Sequence, residues 1–172
     1  MSNSPLTMKK HSKRPLVCPP TPGTKEPIQW VVEGELAYAK RPGFGTWPVP
    51  AKVVDQWLEN IRRLGIRSLI VLLSDNEVFE YYPDLGLFLT EYYVDAGFHV
   101  RAVPQEDFRG RVALPILRAR VREAFETLPK PVLIHCDEGS ERTQLAIRAI
   151  CHGRQNAGAK PGDPGVKRRS RA

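Results

Sequence analysis

The segment that most constrains this chain runs from Pro131 to Thr143. Pro131-Val132-Leu133-Ile134 is a short apolar run of the kind needed by a strand buried on both faces. It leads without a break into His135-Cys136-Asp137-Glu138-Gly139-Ser140-Glu141-Arg142-Thr143, and helical apolar spacing then continues to about Gln155. The expected local structure is strand, tight loop, helix. In open α/β sheets, ligands bind at the carboxyl ends of strands. A loop bending there, at a helix N-terminus, also turns several backbone N–H groups toward one point, which suits a phosphate-sized anion. Gly139 sits mid-loop, where a positive φ or a close backbone approach is expected. Arg142 adds a planar fork that matches two phosphate oxygens.

The rest of the chain supplies the elements around that loop. Ile28-Gln29-Trp30-Val31-Val32 and Leu36-Ala37-Tyr38-Ala39 read as two strands around a turn at Gly34, followed by a Gly/Pro-rich loop from Arg41 to Pro50. Val53, Val54, Trp57, Leu58, Ile61 and Leu64 recur at helical spacing, and Gly65 ends that helix. Residues 68–73 form another buried-type strand. Ser74 with Glu77 has the form of a capping box. Residues 85–96 read as an amphipathic helix closed by Gly97, and residues 98–103 alternate as a strand. A polar loop over 104–111 precedes a helical stripe of Leu114, Leu117, Val121, Phe125 and Leu128. Strands alternating with helices of this length predict an α/β domain with a mainly parallel central sheet flanked by helices.

Charge separates this body from its ends. Of the net charge of +7, residues 1–24 carry +4 and residues 156–172 carry +4, leaving 17 basic and 18 acidic groups over 25–155. The expected organisation is a disordered basic tail over 1–24, a folded domain over 25–155 and a second disordered basic tail over 156–172. Nucleic-acid binding beyond weak tail electrostatics is not expected. Three cysteines, Cys18, Cys136 and Cys151, are too few for a disulfide framework and suit a reducing, cytoplasmic setting. No apolar run reaches the ~20 residues of a membrane span. No Cys/His spacing supports zinc, and neither a metal nor another cofactor is expected. His99 reads as a surface or packing residue. Cys151 reads as a packing residue, and Trp30, Trp47 and Trp57 as core or loop anchors.

A thiol at a helix N-terminus beside a guanidinium ionises more readily than a free one, so Cys136 suits a nucleophile that needs no dedicated base. Thr143 is placed to hydrogen-bond the sulfur. A cysteine, five residues, an arginine and then Ser or Thr, preceded by histidine on a strand, resembles the signature of the cysteine-based protein tyrosine phosphatase superfamily. The compact size resembles its dual-specificity branch, and the likeness covers roughly residues 28–155 in element order. It implies metal-free hydrolysis through a phosphocysteine, on a phosphorylated protein as partner. His135 would orient the loop and tune the thiolate, and the backbone amides of Asp137, Glu138, Gly139, Ser140, Glu141 and Arg142 would cradle the phosphate.

The resemblance also implies a general acid on a separate loop. Val103-Pro104-Gln105-Glu106-Asp107-Phe108 is similar to the family's aspartate loop, with Asp107 29 residues before Cys136 and Glu106 as its competitor. Two features depart from the family. Asp137, Glu138 and Glu141 make the loop acidic, and lysines typical of phosphoinositide-dephosphorylating members are absent at Asp137 and Ser140. After Gly153 the sequence turns rich in Gly and Pro and then basic, so the C-terminal helical region reads as shortened. Two other functions stay open at this point: a pseudophosphatase that binds phosphoproteins without turnover, and an RNA 5′-phosphatase.

Overall fold

The computed structural model describes residues 28–86, 88–104 and 113–158. In chain order the elements are β1 (Ile28–Val32), β2 (Leu36–Lys40), α1 (Ala51–Arg63), β3 (Ser68–Val71), α2 (Asp75–Tyr81), α3 (Leu89–Asp95), β4 (His99–Ala102), α4 (Ala113–Thr127), β5 (Val132–Cys136) and α5 (Glu141–Gly158). They build one five-stranded sheet in the order β1-β2-β5-β3-β4. β1 and β2 form an antiparallel hairpin, and every other neighbouring pair is parallel. The expected α/β architecture is therefore present.

β5 lies at the centre, and all five of its residues are buried. Its apolar run follows from this place, because each face of the strand meets helices. Val132, Ile134 and Cys136 pack with Leu36, Tyr38, Ile70 and Leu72 beneath the α4 residues Leu117, Val121 and Phe125 and the α5 residues Ile147 and Ile150. Leu133 faces the opposite way and joins Ala37, Leu69 and Val71 beneath Val54, Leu58 and Ile61 of α1 and Leu89 and Tyr93 of α3. The helical stripes expected around residues 53–64 and 114–128 are the ones that close the two faces. Cys151 is buried in the first of these clusters.

Three boundaries differ from those expected by more than one residue. The helix expected to start at Leu85 begins at Leu89, because Pro83–Leu85 makes a separate 3-10 turn and Gly86 follows with φ 67°. The strand expected over 68–73 ends as regular structure at Val71. Leu72 nevertheless still donates its N–H to the His135 carbonyl at 2.9 Å, and Leu73 is also buried. α5 runs past residue 155 to Gly158. Gly153 lies within that helix, where a Cβ would come 2.7 Å from the Cδ of Arg122 on α4, so the glycine permits a close approach of the two helices. Among the described residues α4 and α5 cover their face of the central strands, where Leu36, Ile70 and Ile134 are fully buried. β4, at the edge of the described sheet, is largely exposed and carries Arg101.

Candidate functional site

Two parallel ladders hold the end of β5 in place. Lys40 of β2 pairs with Cys136, and Val71 of β3 pairs with His135. The chain must then turn at once to start α5, and Gly139 makes that turn possible. Its φ is 69°, and a Cβ there would meet the Ala39 carbonyl oxygen at 3.0 Å and the Lys40 nitrogen at 3.3 Å. Both the positive φ and the close approach expected of this glycine are realised, against the backbone of β2. The first helical hydrogen bond, from the Gln144 N–H to the Ser140 carbonyl at 2.9 Å, sets α5 directly behind the loop.

Cys136 is buried at the strand end, and Thr143, one turn into the helix and fully buried, donates from Oγ1 to its Sγ at 3.0 Å. The hydroxyl is thus placed where sequence reasoning put it. A hydrogen-bond donor at this point favours negative charge on sulfur.

Arg142 is held by a residue that the sequence marked only as a helix cap. Its Nη1 and Nη2 donate to the two carboxylate oxygens of Glu77 at 2.7 and 2.6 Å, and Nη1 also reaches the Leu72 carbonyl at 3.3 Å. Glu77 closes the capping box of α2 as well, accepting from the Ser74 N–H at 2.8 Å while its own N–H donates to Ser74 Oγ at 3.3 Å. A guanidinium has five N–H donors. End-on pairing with Glu77 and the Leu72 contact engage three of them, through Nη1 and Nη2. Burial pushes the Glu77 carboxyl up, but hydrogen bonds from Arg142 and Ser74 outweigh it and hold it below the usual carboxylate range. The hydrogen bond to Glu77 raises Arg142 further above its ordinary value, against burial, so both partners are charged at neutral pH.

The acidic loop residues separate into two kinds. Glu138 and Glu141 are exposed to solvent, and Ser140 Oγ lies 3.4 Å from a Glu138 carboxylate oxygen. Asp137 instead turns its side chain onto Arg41, whose Nε donates to Oδ1 at 2.7 Å, and accepts from the Tyr81 hydroxyl at Oδ2 at 3.2 Å. No sequence signal marked Arg41, which stood only as the first residue of a loop.

His135 is fully buried on the opposite face of β5 from Cys136, with Nε2 3.2 Å from the Tyr93 hydroxyl and the Trp57 ring edge-on at 5.6 Å. Burial pushes its pKa down to about 4; the Cys136 backbone opposes this, and Arg142 and Arg41 add to it. The imidazole is neutral at pH 7 and packs against Tyr93 and Trp57. Of the aromatic anchors, Trp57 packs partly buried against Tyr93 and His135, while Trp47 is exposed and donates from Nε1 to the Glu80 carbonyl at 2.8 Å. His99 is exposed on β4. Asp107 and its competitor Glu106 lie outside the described residues.

The structure therefore brings together Cys136, Thr143, Arg142 and the backbone of 137–142 at the start of α5, and adds Glu77 and Arg41 as their supports. Among the described residues no helix is long and apolar enough to cross a membrane, and no three His, Cys, Asp or Glu side chains gather as a metal site. No family model matches the sequence, and no curated protein matches it. Solved structures do resemble the fold. One is Tk-PTP in the active form, 17% identical, with a TM-score of 0.44 over 78% of this chain and 87% of that one. Another is the core catalytic domain of the PP-IP phosphatase SIW14 from S. cerevisiae in complex with citrate, 23% identical, with a TM-score of 0.45 over 73% of this chain and 66% of that one.

Proposed function

We propose that this chain hydrolyses phosphate monoesters through a phosphocysteine, without a metal ion, and that phosphotyrosine in proteins is the substrate. The observation that carries this reading is the pairing of Thr143 with the Cys136 sulfur at the start of α5, in the loop that also carries Arg142, whose guanidinium is held by Glu77. In the first step Cys136 Sγ attacks phosphorus, the phosphoryl group moves to sulfur, and the ester oxygen leaves with a proton from Asp107. In the second, Asp107 takes a proton from water, the water oxygen attacks phosphorus, and the thiolate departs toward the Thr143 hydroxyl, releasing inorganic phosphate. Arg142 and the loop amides hold the three non-bridging oxygens through both steps, where charge must be stabilised.

The leaving group provides the test, with turnover measured in buffer containing EDTA. An activated aryl phosphate builds little charge on its leaving oxygen, so the acid contributes little to the first step. A tyrosine phenolate needs that proton, and an acid in the transition state is worth about 10²–10⁴-fold. Asp107→Asn should therefore slow a phosphotyrosine peptide far more than an activated aryl phosphate, and should remove the alkaline limb of the peptide's pH profile. Equal, small losses on both substrates would take the role of acid away from Asp107, and Glu106→Gln is then the variant to measure.

A further inference from the structure

We propose that Arg41 is a positioning residue of the phosphate cradle, holding the Asp137 carboxylate turned away from the anion and neutralised. The inference rests on the phosphatase reading and explains how that site tolerates an acid directly after its nucleophile. Asp137 follows Cys136 in a loop whose work is to attract a dianion, so a free carboxylate there opposes the ligand. Both of its oxygens are instead engaged, Oδ1 by Arg41 Nε at 2.7 Å and Oδ2 by the Tyr81 hydroxyl at 3.2 Å.

Arg41 is built for this one task. It is 6% exposed, and its guanidinium lies 3.9 Å from the centre of the Tyr81 ring. Its Nη1 donates to the carbonyls of Pro42 and Gly43 at 3.4 and 3.2 Å, and its Nη2 to that of Thr46 at 3.5 Å, so the fork cannot swing toward solvent. The backbone repeats the link, because the Arg41 N–H donates to the Asp137 carbonyl at 3.1 Å. Gly139 presses on Ala39 and Lys40 two residues on, so the end of β2 fixes this loop both by charge and by close contact. Burial lowers the Arg41 pKa, but its hydrogen bond to Asp137 and the neighbouring Tyr82 outweigh this and leave the group more firmly charged than usual.

Rescue separates positioning from simple packing. The probe is inorganic tungstate, a tetrahedral dianion, measured by calorimetry at fixed salt on the full chain. Arg41→Met should weaken tungstate binding by about tenfold or more, because an uncompensated carboxylate then faces the cradle. Adding Asp137→Asn to that variant should restore the affinity to within about threefold of wild type, since the repelling charge is gone. Asp137→Asn alone, which leaves the backbone N–H of residue 137 in the cradle and an amide oxygen to accept from Arg41, should bind tungstate as tightly as wild type or more tightly. A double variant that binds no better than Arg41→Met, or an Asp137→Asn protein that loses tungstate, would overturn the proposal while leaving the phosphatase reading intact. Failure of the wild-type protein to bind tungstate would overturn the phosphatase reading, and this inference with it.

Discussion

Cys136→Ser should lower turnover of an aryl phosphate by about 10⁴-fold or more, the scale seen when the nucleophile of a covalent mechanism is removed. The serine hydroxyl is of similar shape, and Thr143 still donates toward it, so the loop geometry survives. What is lost is ionisation, because an alcohol at this position has no neighbouring base to take its proton. Tungstate should therefore still bind, held by the amides of 137–142 and by Arg142. Activity that survives the change would end the cysteine mechanism. Loss of both turnover and tungstate binding would instead mean that the sulfur shapes the cradle.

The second large effect belongs to Arg142. Its Nη1 and Nη2 are held on Glu77 and the Leu72 carbonyl, and on the proposed mechanism the remaining donors take the phosphate. A lysine is a point charge with three donors on one nitrogen, so it satisfies Glu77 or the phosphate, not both. Arg142→Lys should cost about 10²–10³-fold in kcat/KM, comparable to removing a fixed donor from a transition-state charge. Glu77→Gln keeps the fork but loosens its support, and its loss should fall between wild type and the lysine variant. A Lys variant as active as wild type would contradict the assigned clamp.

How much of this was legible depends on how far apart in the chain the partners lie. The strand over 132–136 and the helix after it could be read because a both-faces-buried strand and a helical stripe are local patterns. Gly139 could be marked as special for the same reason, although the cause of its close approach, the Ala39 carbonyl, sits on another strand. Thr143 was found because it directly follows Arg142 in the loop-to-helix motif that begins at Cys136. Glu77 was visible only in its local role, as the cap partner of Ser74 three residues before it. Its bond to Arg142 spans 65 positions, and the Arg41–Asp137 pair spans 96, and no periodicity encodes such meetings. The acidic loop looked adverse to anion binding because sequence shows the carboxylates and not their partners. The end of regular structure in β3 at Val71 was missed for a related reason, since Leu72 and Leu73 are as buried and apolar as the strand they follow.

The covalent intermediate gives the most direct test. On the proposed mechanism Thr143, whose hydroxyl donates to the Cys136 sulfur, stabilises the departing thiolate in the second step, so Thr143→Ala should slow release from sulfur more than transfer to it. Wild type and Thr143→Ala can be quenched during turnover of an activated aryl phosphate and mapped by peptide mass spectrometry. The account predicts a phosphoryl group on Cys136, at higher occupancy in the Thr143 variant. Continued turnover with no covalent phosphoryl group in either protein, or with the group on another residue, would contradict it.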